Sequence, residues 1–350
     1  MKIPNPLANR RWRYRAAGSG AAALLAATAL ATGVTGAGAL PASAATQHTA
    51  TKHAATKYNI VLIPGLTTDP FYITMGIGAK AEAAKLGVNL IWKGATTWST
   101  TLQVPIVNAT LATHPSALLI APTDVTALFK PIDAYVKAGI PVITVDTTLA
   151  NRSILAGAVT SDNYQGGEAA AKAIAAAAHY KGAVAVINTV AGVSTTDLRQ
   201  QGFLAQMKHY PHMTVVATEY DNDSQTTAES QARALILAHP DLAGIFGTNL
   251  YSAQGAGDGV AAAGKKGKIF VAGYDAEPSE VKLLRQGVIN ILVAQDPAEE
   301  GRLGVQYAYD YLTGKKGLIP KKQVMLPNVV MTTQDINNPN IAKYIYKTSL

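Results

Sequence analysis

The chain contains no cysteine, little charge and few aromatic residues. The missing thiol excludes disulfides, thiolate metal sites, a cysteine nucleophile and a lipid-modified cysteine anchor. Only 15% of its 350 residues are charged, against 48% hydrophobic. That balance excludes disorder of the whole and lets a chain of this length bury a large core organised as two domains. Nucleotide-binding loops are missing too. Gly255-Ala256-Gly257-Asp258-Gly259 lies inside a helical pattern, and Gly264-Lys265-Lys266-Gly267-Lys268 lacks the frame of a phosphate loop. Asp221-Asn222-Asp223-Ser224-Gln225 with Glu229 lacks the glycine of a calcium loop, where Thr226 stands, and reads as a capped turn before a helix. Ser161-Asp162 and His114, His179, His209, His212 and His239 supply no set of nucleophile, base and orienter. Neither a metal nor a cofactor is expected.

What is present begins with an export signature. Arg10, Arg11, Arg13 and Arg15 precede an Ala/Leu/Gly-rich stretch over 16–40, and Ala42-Ser43-Ala44 supplies a small-residue cleavage pattern before Ala45. Residues 1–44 are therefore read as a signal peptide, with Arg10-Arg11 leaving the Sec and Tat routes both open. Its removal takes five Lys/Arg, leaving 25 basic against 22 acidic residues and a formal net charge of +3 in place of +8. A basic nucleic-acid footprint does not survive that change. Residues 45–57 are polar and aperiodic and read as a flexible leader. An export signal also occupies the place where a regulator would carry its helix-turn-helix head. With no cysteine to lipidate, the exported chain is expected free in the periplasm, secretion being the alternative.

From Asn59 onward, short apolar runs alternate with helical patterns. Strands are predicted near 59–64, 88–92, 117–121, 141–146, 183–188, 213–218, 243–247, 268–273 and 290–294, with an extended run at 154–159 and a short C-terminal pair. Helices fall between them, for example at 73–86, 164–179 and 226–239. Regular alternation of this kind gives an α/β fold of parallel sheets with right-handed crossovers. So many strands exceed one sheet, so two Rossmann-like lobes are expected, the first change of lobe falling near Thr160-Ser161. Polar or aromatic residues stand just past strand ends, at Asp69-Pro70-Phe71-Tyr72, Thr123-Asp124 and Asp146. In an open parallel sheet that is where the ligand crevice lies.

Six segments carry a family resemblance. Asp69-Pro70-Phe71-Tyr72, Pro141-Val142-Ile143-Thr144-Val145-Asp146, Ser161-Asp162-Asn163 with Gly166-Gly167, Phe246-Gly247-Thr248-Asn249, Val271-Ala272-Gly273-Tyr274-Asp275 and Ala294-Gln295 stand in order. Over roughly 58–333 the chain resembles the type I periplasmic sugar-binding proteins of the ribose-binding group. The resemblance implies a type I periplasmic binding fold, with further crossings after Gln295 and within 324–332, so that a three-segment hinge permits closure on a ligand. Lobe one is then expected over 58–160 plus 296–322, lobe two over 161–295 plus 323–342, and a C-terminal tail over 343–350.

A sugar offers a ring of hydroxyls and an apolar face, so its receptor needs carboxylates, amides and aromatic rings. Asp146 and Asp275 end apolar strands and, with the resemblance selecting both, are expected to accept hydroxyl protons from opposite lobes. Phe71 and Tyr72 are placed at the cleft by the same pattern. Asp69 either caps the helix they open or binds hydroxyls. Asn249 and Gln295 each bring a donor and an acceptor. Trp98 stacks on the sugar, completes a cation cage with Tyr72, or packs on the surface. Two positions depart from the ribose pattern: Thr147 and Asp197 stand where arginines are expected, with Arg199 two places further on. Bidentate guanidinium donors are then lost, which favours a polyol, a deoxy or branched sugar, or a small cation over ribose.

The expectation is an exported, monomeric, non-enzymatic receptor. It closes on a small sugar or polyol and presents it to the membrane permease of an ABC importer, or to a chemoreceptor. A receptor for a cationic or signalling solute is one alternative. An exported glycoside hydrolase using paired aspartates is another, although the sequence does not show the defined carboxyl spacing that chemistry needs.

Overall fold

The computed structural model describes residues 58–350; the signal peptide, its cleavage site and the flexible leader expected over 1–57 lie outside the described residues. The chain opens with β1 (Asn59–Ile63), α1 (Pro70–Leu86), β2 (Asn89–Trp92), α2 (Thr100–Leu111) and β3 (Ala117–Ile120). It continues through α3 (Phe129–Lys137), β4 (Val142–Val145), β5 (Gly157–Ser161), α4 (Asn163–Ala177), β6 (Gly182–Asn188) and α5 (Ser194–Met207). Next come β7 (Met213–Tyr220), α6 (Gln225–Ala238), β8 (Leu242–Gly247), α7 (Leu250–Ala262), β9 (Phe270–Tyr274) and α8 (Pro278–Arg285). The chain closes with β10 (Ile291–Ala294), α9 (Pro297–Leu312), β11 (Val324–Leu326), β12 (Val329–Met331) and α10 (Pro339–Ala342).

Two six-stranded sheets result, ordered β2-β1-β3-β4-β5-β11 and β7-β6-β8-β9-β10-β12. Every pairing is parallel except β10 with β12. The central strands β1, β3 and β4 are apolar nearly throughout and buried on both faces, as a helix-covered parallel sheet requires. Ile60 and Leu62 pack with α1 and α9 on one face, while Val61 and Ile63 pack with α2 and α3 on the other. The second sheet repeats the plan. Val184 and Val186 pack under α4 and α5, while Ala185 and Ile187 pack under α6 and α7.

The chain crosses between sheets three times. It crosses at Asp162, since α4 packs on the second sheet; at Gln295-Asp296, since α9 packs back on the first; and at Pro327-Asn328. The third crossing corrects the expected boundary at 323. The two short C-terminal strands do not pair with each other, because β11 extends the first sheet beside β5 and β12 extends the second beside β10. The segment 343–350 is also more than a tail, because Tyr346 is buried in the core.

Glycines set how closely paired helices approach. A Cβ at Gly301 on α9 would collide with the Met75 carbonyl of α1, and one at Gly167 on α4 with the Arg199 carbonyl of α5. The second contact matters for function, because α5 carries a side chain into the cavity between the sheets. Among the described residues no helix is long and apolar enough to cross a membrane.

Candidate functional site

Helix starts and strand ends from both sheets line one cavity, at the place where open parallel sheets bind their ligands. Its walls include Asp69, Phe71, Tyr72, Trp98, Asp146, Asn249, Asp275 and Gln295, eight of the ten residues singled out from the sequence. Two further bonds hold the halves together beside it. Val125 donates its N–H to the Gly192 carbonyl at 3.3 Å, and Thr148 to Ser194 Oγ at 2.9 Å.

Asp146 and Asp275 occupy the same place in the two sheets, one residue past the fourth strand counted from the β2 or β7 edge. Both adopt left-handed backbone, with φ of 62° and 83°, a conformation that Asp and Asn tolerate better than most side chains. Asp146 Oδ2 accepts the Tyr72 hydroxyl at 2.5 Å. Asp275 is held by three donors. Its Oδ1 accepts Gln295 Nε2 at 2.6 Å and the Tyr346 hydroxyl at 3.1 Å, and its Oδ2 accepts the Leu250 N–H at 3.2 Å.

Asp69 both caps and lines. It is the N-cap of α1, accepting from Phe71 N–H at 2.7 Å, and its position in the wall makes the two expected roles compatible. Asn249 does the same for α7: Oδ1 accepts Ser252 N–H at 3.0 Å while Nδ2 donates to Asp223 Oδ1 at 2.7 Å. Phe71 and Tyr72 meet edge to face at 5.1 Å, and Trp98 stacks beside Tyr72 at 6.5 Å. Both Phe71 and Tyr72 reach the cavity from the first turn of α1.

Two sequence-selected residues stand outside the wall. Thr147 is buried behind Asp146 and contributes its backbone N–H to that carboxylate. Asp197 spends Oδ2 on the Gly192 N–H at 3.0 Å, which stabilises the loop that leads into α5. The expected loss of guanidinium is corrected as well. Arg199 lines the cavity, 3% exposed, and lies 3.7 Å over the Tyr274 ring. Its Nε donates to Asn163 Oδ1 at 2.8 Å and its Nη1 to the Thr248 carbonyl at 2.9 Å. Sequence reasoning also missed Leu66, Thr189, Val193, Thr195 and Thr196 in the wall. Loop and first-turn residues with hydroxyls or short apolar side chains carry no signal that separates wall from surface.

The wall is acidic, with Asp69, Asp146, Asp223 and Asp275 against the single cation of Arg199. Burial, the largest cause, pushes Asp146 and Asp223 up to about 6, and does the same to Asp221 behind them. Burial, followed by the Asp275 charge, raises Asp69 well above the usual carboxylate range. A carboxyl raised in the folded state binds its proton more tightly there than in the unfolded chain. The resulting stabilisation is complete below the ordinary aspartate value of about 4 and is lost as pH rises through about 6. The ligand-free protein is therefore expected to melt at a higher temperature near pH 5 than near pH 7.5 in scanning calorimetry, with Asp146→Asn flattening the slope. A melting temperature that rises over that interval would show that these carboxyls do not govern it. Among the described residues no group of three or more His, Cys, Asp or Glu side chains is arranged to hold a metal ion.

Known proteins share this arrangement. Residues 60–316 match the family model described as a periplasmic binding protein domain. The ribose import binding protein RbsB of Bacillus subtilis (strain 168) is 31% identical over 261 residues, covering 74% of this chain and 83% of its own. A solute-binding protein of an ABC transporter from Agrobacterium vitis, solved with α-D-tagatopyranose bound, is 43% identical with a TM-score of 0.81. That match covers 83% of this chain and all of the other. A carbohydrate transporter solute-binding protein from Agrobacterium radiobacter, solved with D-arabinose, is 31% identical with a TM-score of 0.78 and again covers 83% and 100%. The repeated sheet order, the three crossings and the cavity at the strand ends agree with these likenesses. The chain belongs to the periplasmic binding protein family and has its type I fold.

Proposed function

We propose that this protein is an exported receptor that closes on a small sugar or polyol and delivers it to the membrane permease of an ABC importer. The observation that carries the reading is the pair of equivalent strand-end carboxylates, Asp146 and Asp275, converging on one cavity from opposite sheets. A ligand shifts an open and closed equilibrium only through differential contact with the two states. Hydroxyls bridging these two carboxylates supply it, because the bridge exists only when the halves meet. Phe71, Tyr72 and Trp98 form the apolar wall for the C–H face of the ring, while Asn249, Gln295 and Arg199 add donors to an acceptor-rich lining. Relatives that carry sugars support this ligand class, and the periplasm is the compartment in which such a receptor meets its permease. The protein acts by binding and release, with no chemical step.

The test is a thermal-shift screen of the mature protein against pentoses, hexoses, deoxy sugars, polyols and small amines. A ligand that binds only the folded state raises the melting temperature, by an amount that grows with the logarithm of its concentration. A rise with one sugar or polyol, saturable in titration calorimetry and without turnover of the ligand, is the expected result. A rise with amines alone would overturn the sugar reading in favour of a cation site.

A further inference from the structure

The C-terminal segment leaves β12 in a turn where Thr332 Oγ1 donates to Asp335 Oδ2 at 2.8 Å, buries Ile336, and forms α10 behind its Asn338 cap. It then returns to the cavity. The Tyr346 N–H donates to the Ala276 carbonyl at 3.0 Å, and the ring meets Phe71 at 5.7 Å and 71°. The Tyr346 hydroxyl accepts the Gln295 N–H at 3.2 Å and donates to Asp275 Oδ1 at 3.1 Å. With its lone pair engaged by Gln295, the hydroxyl proton points at Asp275. Burial first and the Asp275 charge second hold that phenolic proton on well above the usual tyrosine range. One residue further on, the Lys347 N–H donates to Thr74 Oγ1 of α1 at 2.7 Å, so the segment is anchored to both halves on either side of the ring. The segment itself, from Thr332 to Lys347, lies beyond the residues matched by the family model, which end at 316.

We propose that Tyr346 is a positioning residue for the ligand-binding carboxylate Asp275. The proposal rests on reading the cavity as a sugar site. A strand-end carboxylate that rotates freely loses entropy when a ligand fixes it. Asp275 is fixed beforehand, with Gln295 Nε2 and Tyr346 on one oxygen and Leu250 N–H on the other. The lone pairs left over are aimed at the ligand before it arrives. Tyr346 supplies the one of these three donors that comes from the C-terminal segment.

Tyr346→Phe keeps the ring against Phe71 and removes only the hydroxyl. Affinity for the sugar found in the screen is expected to fall about tenfold, mainly through faster dissociation, and the melting temperature of the ligand-free protein is expected to fall as well, because the buried Gln295 N–H loses its acceptor. The deciding measurement is the same substitution in an Asp275→Asn background, followed by titration calorimetry or, for weak complexes, NMR titration. If Tyr346 acts through Asp275, its removal costs little there. An equal cost in both backgrounds, or an unchanged affinity for Tyr346→Phe alone, overturns the proposal while leaving the sugar site standing. Failure of the wild-type protein to bind any sugar or polyol overturns both.

Discussion

Asp146→Asn is expected to weaken sugar binding by about 100-fold, the equivalent of losing one or two hydrogen bonds to a charged group, while the protein stays folded. The substitution suits the site. Asparagine accepts the left-handed backbone that Asp146 adopts at φ 62°, whereas alanine would add strain to the loss of the carboxylate. The amide oxygen can still accept the Tyr72 hydroxyl, which Asp146 now holds at 2.5 Å. What disappears is the second acceptor, replaced by an NH₂ that can only donate. A sugar hydroxyl that gave its proton to the carboxylate then faces a donor, and the first sheet loses its share of the bridge. Asp275 remains, so the ligand still contacts the second half but has less reason to close the two together. Titration calorimetry measures the affinity, and small-angle scattering with and without ligand measures closure. An affinity within threefold of wild type would remove Asp146 from the site.

The fold was largely legible in the sequence, and the site only in part. Parallel strands buried on both faces announce themselves as apolar runs, and the residue that ends such a run lies at the crevice by geometry alone. Asp146 and Asp275 are readable because they end such runs and because the family resemblance selects both. Helical phase is harder to read. Arg199 follows Asp197 by two residues on α5, and two residues turn a helix by about 200°. The neighbour that the ribose pattern pointed to therefore faces the Gly192 loop, and the arginine faces the cavity. Thr147 fails for a related reason, since the chain turns at Asp146 and carries the next side chain behind the wall. Tyr346 was invisible because it is recruited to Asp275 across 71 residues of sequence, from a segment with no periodicity to suggest burial. The third crossing was legible only through the resemblance, which placed it within 324–332; it falls between the short apolar runs at 324–326 and 329–331, so that each extends a different sheet.

Arg199→Met is expected to cost the fold about 3–5 kcal/mol, the usual penalty for removing one member of a buried charged network. Arg199 is the lone cation in an acidic wall, and among the described residues the ion pairs are local ones on helix surfaces that do not involve it. Neutral acceptors and a ring face hold it: Asn163 Oδ1, the Thr248 carbonyl and Tyr274. Asn163 in turn donates to Thr160 Oγ1 and to the Ser161 carbonyl, at 3.0 and 2.9 Å. The guanidinium thus ties α5 to the first crossing between the sheets. Methionine fills most of the volume but leaves two buried acceptors unpaired and takes away the positive charge that helps keep Asp146 ionised. Lysine restores the charge without the planar fork, so it cannot serve Asn163, Thr248 and the Tyr274 face together. Urea unfolding near pH 7 is therefore expected to rank wild type above Arg199→Lys and Arg199→Lys above Arg199→Met, with the gap between wild type and Met narrowing toward pH 5 as the carboxyls take up protons. Equal midpoints for wild type and Arg199→Met would mean that the carboxylates of this cavity are balanced by their own protons, with no contribution from the buried cation.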